Sequence, residues 1–251
     1  MEPPPHSDHF QGKSVVDHLK QARTKGMHAS HEVHGTEMPG HLSAGADASK
    51  ETAIALRMLW VLSFFFSFQD RQLFFFFLFF SIGFAIWKTG RSALLGWSRM
   101  ERLHRLIEEE RWEIEHHRQQ ERSELAEMYR AKGFEGKLLE EVLDVLMSDD
   151  NRLLKVMLEE ELGLTLEAYE HPLKQGIGAL YAVAMTSCLC LFGLWASPLF
   201  GLPLCAALCI AIATIISAKI EKNRIYPSLL WNLAMGALVG SAVYFASKLK
   251  N

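Results

Sequence analysis

From Leu73 to Phe80 the chain reads Leu-Phe-Phe-Phe-Phe-Leu-Phe-Phe, and this run limits what the protein can be more than any other feature. It leaves no polar face for water, and a helix that is apolar all round belongs in a large core or in lipid. The run sits within Ala53 to Trp87, a stretch almost wholly apolar apart from a knot at Gln69, Asp70, Arg71 and Gln72. Each flank of the knot comes close to the roughly 20 residues that cross a bilayer. The expectation is therefore a hairpin of two membrane helices turning at the knot, the second running past Lys88 and Arg91 toward Trp97. A single long helix holding Asp70 and Arg71 as a buried pair is the alternative.

Three more apolar segments, Lys174 to Ala196, Leu199 to Ala218 and Ile225 to Ala246, are each long enough to span. The chain thus reads as an all-α, multi-pass membrane protein with five transmembrane helices. Its expected divisions are a polar, histidine-rich arm over 1–50, the hairpin over 51–99, an acidic helical domain over 100–172 inserted between the second and third membrane helices, and three further membrane helices over 173–251. Lys88, Arg91, Arg99 and Arg102 follow the second helix, and Lys219, Lys222 and Arg224 separate the fourth from the fifth. By the positive-inside rule these ends, the acidic domain and the amino terminus are cytoplasmic. Gly236 and Gly240 give the last helix a GxxxG surface, which serves a dimer and intramolecular packing equally well. Cys188, Cys190, Cys205 and Cys209 all lie inside apolar runs and read as small buried hydrophobes.

The net charge of −3 hides an uneven distribution. Between Met100 and Glu170 acidic residues outnumber Lys plus Arg by about two to one, which makes an anionic island and excludes nucleic acid as a partner. The arm holds most of the histidines (His6, His9, His18, His28, His31, His34 and His41), so it reads as a flexible tail with a secondary metal-collecting role open to it.

Between Met100 and Ala131 there is no proline or glycine, which predicts one long helix continuing from the second membrane segment and ending at Gly133. On it Glu110, Glu113, His117, Glu121 and Glu124 fall within an arc of roughly 80° at about 100° per residue. Most glutamate-rich helices simply carry a solvated face. Here the stripe extends the apolar face of Leu103, Leu106, Ile107, Ile114, Leu125 and Met128, so these glutamates point at partner helices. Crowded inward carboxylates repel one another and lose hydration unless something positive lies between them, and a divalent cation supplies that charge. Arg111, Arg118 and Arg122 lie mostly off the stripe. Two shorter helices, Glu135 to Met147 and Asn151 to Leu162, complete the domain, the latter stopped by Gly163. Its Met157, close to a carboxylate cluster, would favour a softer transition metal over calcium or magnesium.

From about Leu103 onward the chain resembles the vacuolar iron transporter family. Members carry two Glu-x-x-Glu pairs on a long helix emerging from the second membrane segment, matched here by Glu110 with Glu113 and Glu121 with Glu124. Glu124, Met128, Tyr129, Arg130 and Gly133 continue the likeness, as do Met157, Glu161 and Gly163, and Gly236, Gly240 and Tyr244 in the last helix. The resemblance implies that Glu110, Glu113, Glu121, Glu124, Met157 and Glu161 are metal ligands. It also implies a homodimer that exports ferrous iron from the cytosol in exchange for protons. Leu158 stands where some members have a second methionine. Ser92 and Ala93 stand where the family's second helix has Ser-Met, and Asp70 is followed by Arg71 where its first helix has Asp-Gly on the ion path.

These readings converge on a proton-coupled divalent metal transporter, with ferrous iron as the ion and zinc or manganese as alternatives. An intramembrane aspartate is costly to bury, which makes Asp70 a candidate for the ion path, against a plain turn residue paired with Arg71. The rival function is a membrane metal sensor or buffer that does not transport. An enzyme such as a carboxylate-bridged iron oxidase ranks last, because the chain reads as lacking the Glu-x-x-His pairs expected of such sites.

Overall fold

The computed structural model describes Asp17, Lys20 and residues 38–66, 68–163 and 170–249. Of the histidines assigned to the arm, only His41 lies within the described residues. Among these residues the chain forms eight helices and no strand: α1 (Gly40–Ser63), α2 (Asp70–His116), α3 (Arg118–Ala131), α4 (Gly136–Met147), α5 (Asp150–Glu160), α6 (Pro172–Ala196), α7 (Gly201–Ile220) and α8 (Ile225–Lys248). They divide into two compact units, one around residues 98–169 and the other around residues 34–97 and 170–249.

In the second unit α1 packs against α6, α7 and α8, α6 against α7, and α7 against α8. Its main core joins Ala53, Leu56, Phe77, Leu194, Leu202 and Ile210. Close approach depends on residues without side chains: a Cβ on Gly178 would strike the His41 carbonyl, and Gly193 and Gly201 press on each other in the same way. The GxxxG pair is also used internally. A Cβ on Gly236 would lie 3.4 Å from Ile210 Cδ1, and one on Gly240 would lie 3.1 Å from Arg57 Nε.

The structure refines the expectations at four places. Among the described residues four helices, α2, α6, α7 and α8, are long and apolar enough to cross a membrane, and α1, the expected first span, is not one of the four. It carries Asp47, Lys50, Glu51 and Arg57. The helix starts at Gly40, so residues 40–50, read from sequence as the end of the arm, form its first turns. Two helices do flank the polar knot, but the break precedes it. Asp70 opens α2, where an acidic side chain suits the positive end of the helix dipole, and Gln72 Oε1 accepts from Gln69 N at 3.2 Å. Finally, the long acidic helix is interrupted at His117 (φ −124°, ψ 32°). The Trp112 ring meets those of His116 and His117 there, at 4.5 and 5.4 Å. The bonds from His117 N to Glu113 O (2.7 Å) and from Glu121 N to His117 O (3.1 Å) carry the chain across the break.

The other termini follow local chemistry. Asp149 caps α5 by accepting from Arg152 N at 2.7 Å. Gly133 and Gly163, with φ of +94° and +66°, supply the left-handed turns that end the helices before them.

Candidate metal centre

The unit around residues 98–169 has one apolar core, in which Leu103 and Ile114 from α2, Leu125 and Met128 from α3, Leu139 and Leu143 from α4, and Leu153 and Met157 from α5 meet. The carboxylates are part of this core. Glu110 is 3% exposed, Glu121 1%, Glu124 0% and Glu161 2%. Glu110 comes from the end of α2, Glu121 from the first turn of α3, and Glu161 from the cap that closes α5. Carboxylate oxygens of Glu110, Glu121 and Glu161 all lie within 4.8 Å of one another, close enough to share one ion.

Their electrostatics are those of a crowded anionic pocket. Burial, then the charges of Glu161, Glu121, Glu113 and Glu124, hold the Glu110 carboxyl well above the usual carboxylate range. Burial followed by Glu124, Glu161 and Glu113 pushes Glu121 up to about 10. Glu110 Oε1 meets no hydrogen-bond partner among the described residues. The nearby arginines are engaged at the surface: Arg118 with Asp150 at 2.6 Å, and Arg122 with Asp144 at 2.8 Å and Glu140 at 2.6 Å. Without an ion Glu110 and Glu121 favour their protonated forms, and a divalent cation would replace those protons.

The sequence-derived candidates separate into groups. Glu110, Glu121 and Glu161 come together. Glu124 is buried beside them, and Glu113, half-buried, adds its charge to the same field. Met157 is fully buried one turn before Glu161, whose N–H bonds to its carbonyl at 2.9 Å. His117 marks the helix break and packs on Trp112. Glu-x-x-His spacings do occur at Glu101 with His104 and Glu113 with His116, but both histidines are exposed. Asp70 lies in the other unit, exposed at the start of α2, where it borders a cavity of about 350 Å³ with Trp195 and Pro198.

Sequence reading missed the polar residues of α1. Lys88, with 3% of its side chain exposed, holds Glu51 at 2.6 Å, and Lys50 holds Asp47 at 2.8 Å. The available signal was the three-to-four spacing of Gly45, Ala48, Thr52, Ala53 and Leu56, which continues the helix backward through the supposed arm.

Residues 97–248, more than half of the chain, match the model of the VIT family. The chain belongs to the VIT family, the vacuolar iron transporters. This makes it an integral membrane protein of a family of metal transporters rather than of enzymes. The part matched to the VIT family takes in α3 through α8 and the whole carboxylate cluster, and it begins where the apolar part of α2 ends. No curated protein and no solved structure gives a significant match to this VIT-family chain.

Proposed function

We propose that the protein carries ferrous iron from the cytosol across its membrane in exchange for protons, after capture by the acidic unit. The observation that carries this reading is the convergence of three buried carboxylates from three helical segments within 4.8 Å. Same-sign groups buried so closely are costly unless a cation completes them. Glu110, Glu121 and Glu161 form the centre, Glu113 and Glu124 reinforce its charge, and Met157 supplies the softness that favours ferrous iron over calcium or magnesium. Zinc and manganese are the alternative ions. His117 stands at the edge of this set. By the positive-inside rule, Lys88, Arg91, Arg99 and Arg102, with Lys219, Lys222 and Arg224, support a cytoplasmic side for the acidic unit and the amino terminus. The working form is a homodimer, and Asp70 lies at a mouth of the ion path.

A second reading, a membrane metal sensor or buffer, is favoured by one observation: Lys88 puts a buried, paired cation within the unit that would conduct. Purified protein in liposomes separates the two. With ferrous iron outside and an imposed pH gradient, the transporter accumulates iron inside, and Glu110→Gln with Glu121→Gln abolishes uptake while Asp70→Ala slows it. Iron that binds wild type without crossing would leave the sensor reading.

A further inference from the structure

The membrane unit has a polar cavity of about 170 Å³ where α1, α7 and α8 meet. Asp47 and Lys50 of α1, Thr214 and Ser217 of α7, Glu221 at the end of α7, and Ser228 and Asn232 of α8 line it. The neutral side chains spend hydrogens on their own helices. Thr214 Oγ1 donates to Ile210 O at 2.7 Å, Ser217 Oγ to Ala213 O at 3.0 Å, Ser228 Oγ to Arg224 O at 3.0 Å, and Asn232 Nδ2 to Ser228 O at 2.8 Å. A hydroxyl has one hydrogen, so these three have only lone pairs left to offer, Thr214 from a position 2% exposed. The carboxylates of Asp47 and Glu221 add further acceptors. Lys50 is the one cationic group among the described lining residues, and it lies 2.8 Å from Asp47. Helix packing accounts for hydroxyls that bond back to their own backbone. It does not account for two carboxylates from separate segments around one acceptor-rich cavity with a single ammonium.

We propose that this cavity binds a hydrated divalent cation of the magnesium and manganese class, held by Asp47 and Glu221 once the ion displaces the Lys50 ammonium from Asp47. Such ions keep several waters and bind through one or two carboxylates. Their waters point hydrogens outward, and walls with lone pairs to spare are the complement of that shell. The volume, about 170 Å³, is far above the roughly 15 Å³ that admits one water, so a partly hydrated ion fits. Oxygens dominate the lining over the one thioether, Met38, which favours a hard cation. The Lys50 pair yields readily: it joins residues three apart on one helix, and 61% of the Asp47 side chain is exposed. With Glu221 beside that pair, the lining carries one more negative than positive group. The site shares no residue with the carboxylate centre.

Manganous-ion titration of the full-length protein in detergent tests it, read by loss of the free ion's paramagnetic resonance signal. Glu110→Gln with Glu121→Gln serves as the background, so the outcome does not depend on what the carboxylate centre binds. The expected result is one manganous ion per chain, displaced by excess magnesium. On that background Asp47→Asn and Glu221→Gln should each weaken binding at least tenfold, whereas Lys50→Met, which removes the competing ammonium, should tighten it several-fold. A pair that only staples α1 would give no such opposition of sign. Absence of bound ion in the folded background protein would overturn the proposal. So would unchanged affinity in Asp47→Asn, or weaker binding in Lys50→Met. Should the background not fold, the same three variants in otherwise wild-type protein decide it: the magnesium-displaced fraction must shift with these signs, and a fraction that does not shift overturns the site.

Discussion

The acidic unit and the membrane unit both bury charged side chains among packed helices, and they do so in opposite ways. In the acidic unit Glu110, Glu121 and Glu161, all of one sign, converge within 4.8 Å. In the membrane unit the paired charges are opposites: Lys88 with Glu51, Lys50 with Asp47, and Glu170 with both His41 and Lys174. Opposite pairs complete themselves and act as staples between or along helices. A same-sign cluster is incomplete by construction, and under the proposed function an external cation finishes it.

The strongest way to break this comparison is to remove the same-sign cluster. Glu110→Gln together with Glu121→Gln should weaken binding of ferrous or manganous ion by at least about 100-fold, since losing ligands costs no less than losing their supporting shell. Calorimetric titration of the full-length protein checks this, and unchanged affinity would make the cluster a structural accident.

Acidity should act on the two units with opposite sign. Glu110 and Glu121 have folded-state values above 4.5, so the folded protein holds protons that the unfolded chain releases. Their contribution to metal-free stability is full below about pH 4.5 and is lost as pH rises toward the value near 10 of Glu121. Partial burial opposes ionisation of Glu170, but hydrogen bonds from Lys174 and His41 outweigh it and hold the group at about 2. Its contribution is present above about pH 4.5 and lost as pH falls toward 2. Hydrogen exchange at about pH 5 and about pH 8 should therefore show α3 and α5 less protected at the higher pH in metal-free protein. Bound metal should reverse that slope, because its ligands must be deprotonated. Loss of protection in α3 and α5 on acidification instead would count against the crowded-anion account.

The smallest effects come from single neutralisations, and they too should differ in sign. Lys88→Met breaks an opposite pair and should destabilise the protein by about 1–3 kcal/mol, less than for a fully buried pair because 45% of the Glu51 side chain is exposed. Glu121→Gln relieves same-sign repulsion and should raise the melting temperature of metal-free protein while abolishing its rise on adding metal. Matching signs for the two variants would erase the distinction drawn between the units.

Much of this architecture is legible in the residues. The apolar runs place α6, α7 and α8 to within a few residues of their observed ends, and Gly133 and Gly163 stop helices where their left-handed backbone requires it. The stripe of Glu110, Glu113, Glu121 and Glu124 follows from helical periodicity, which depends only on local geometry. The start of α1 was not legible in the same way. Its buried face is made of Gly45, Ala46, Ala48 and Ala53, whose small side chains give almost no hydropathy signal, and its charged residues resemble those of a solvated arm.

By itself, then, the sequence determined the membrane class, the order of helices and the side of the acidic helix on which the carboxylates lie, because these depend on near neighbours and on transfer of apolar groups from water. Only the tertiary structure decided which of those carboxylates share one centre, since Glu110, Glu121 and Glu161 reach it from three separate segments. It likewise decided that Glu51 meets Lys88 and that Glu170 meets His41. Such long-range meetings are set by how helices pack, and no local pattern along the chain encodes them.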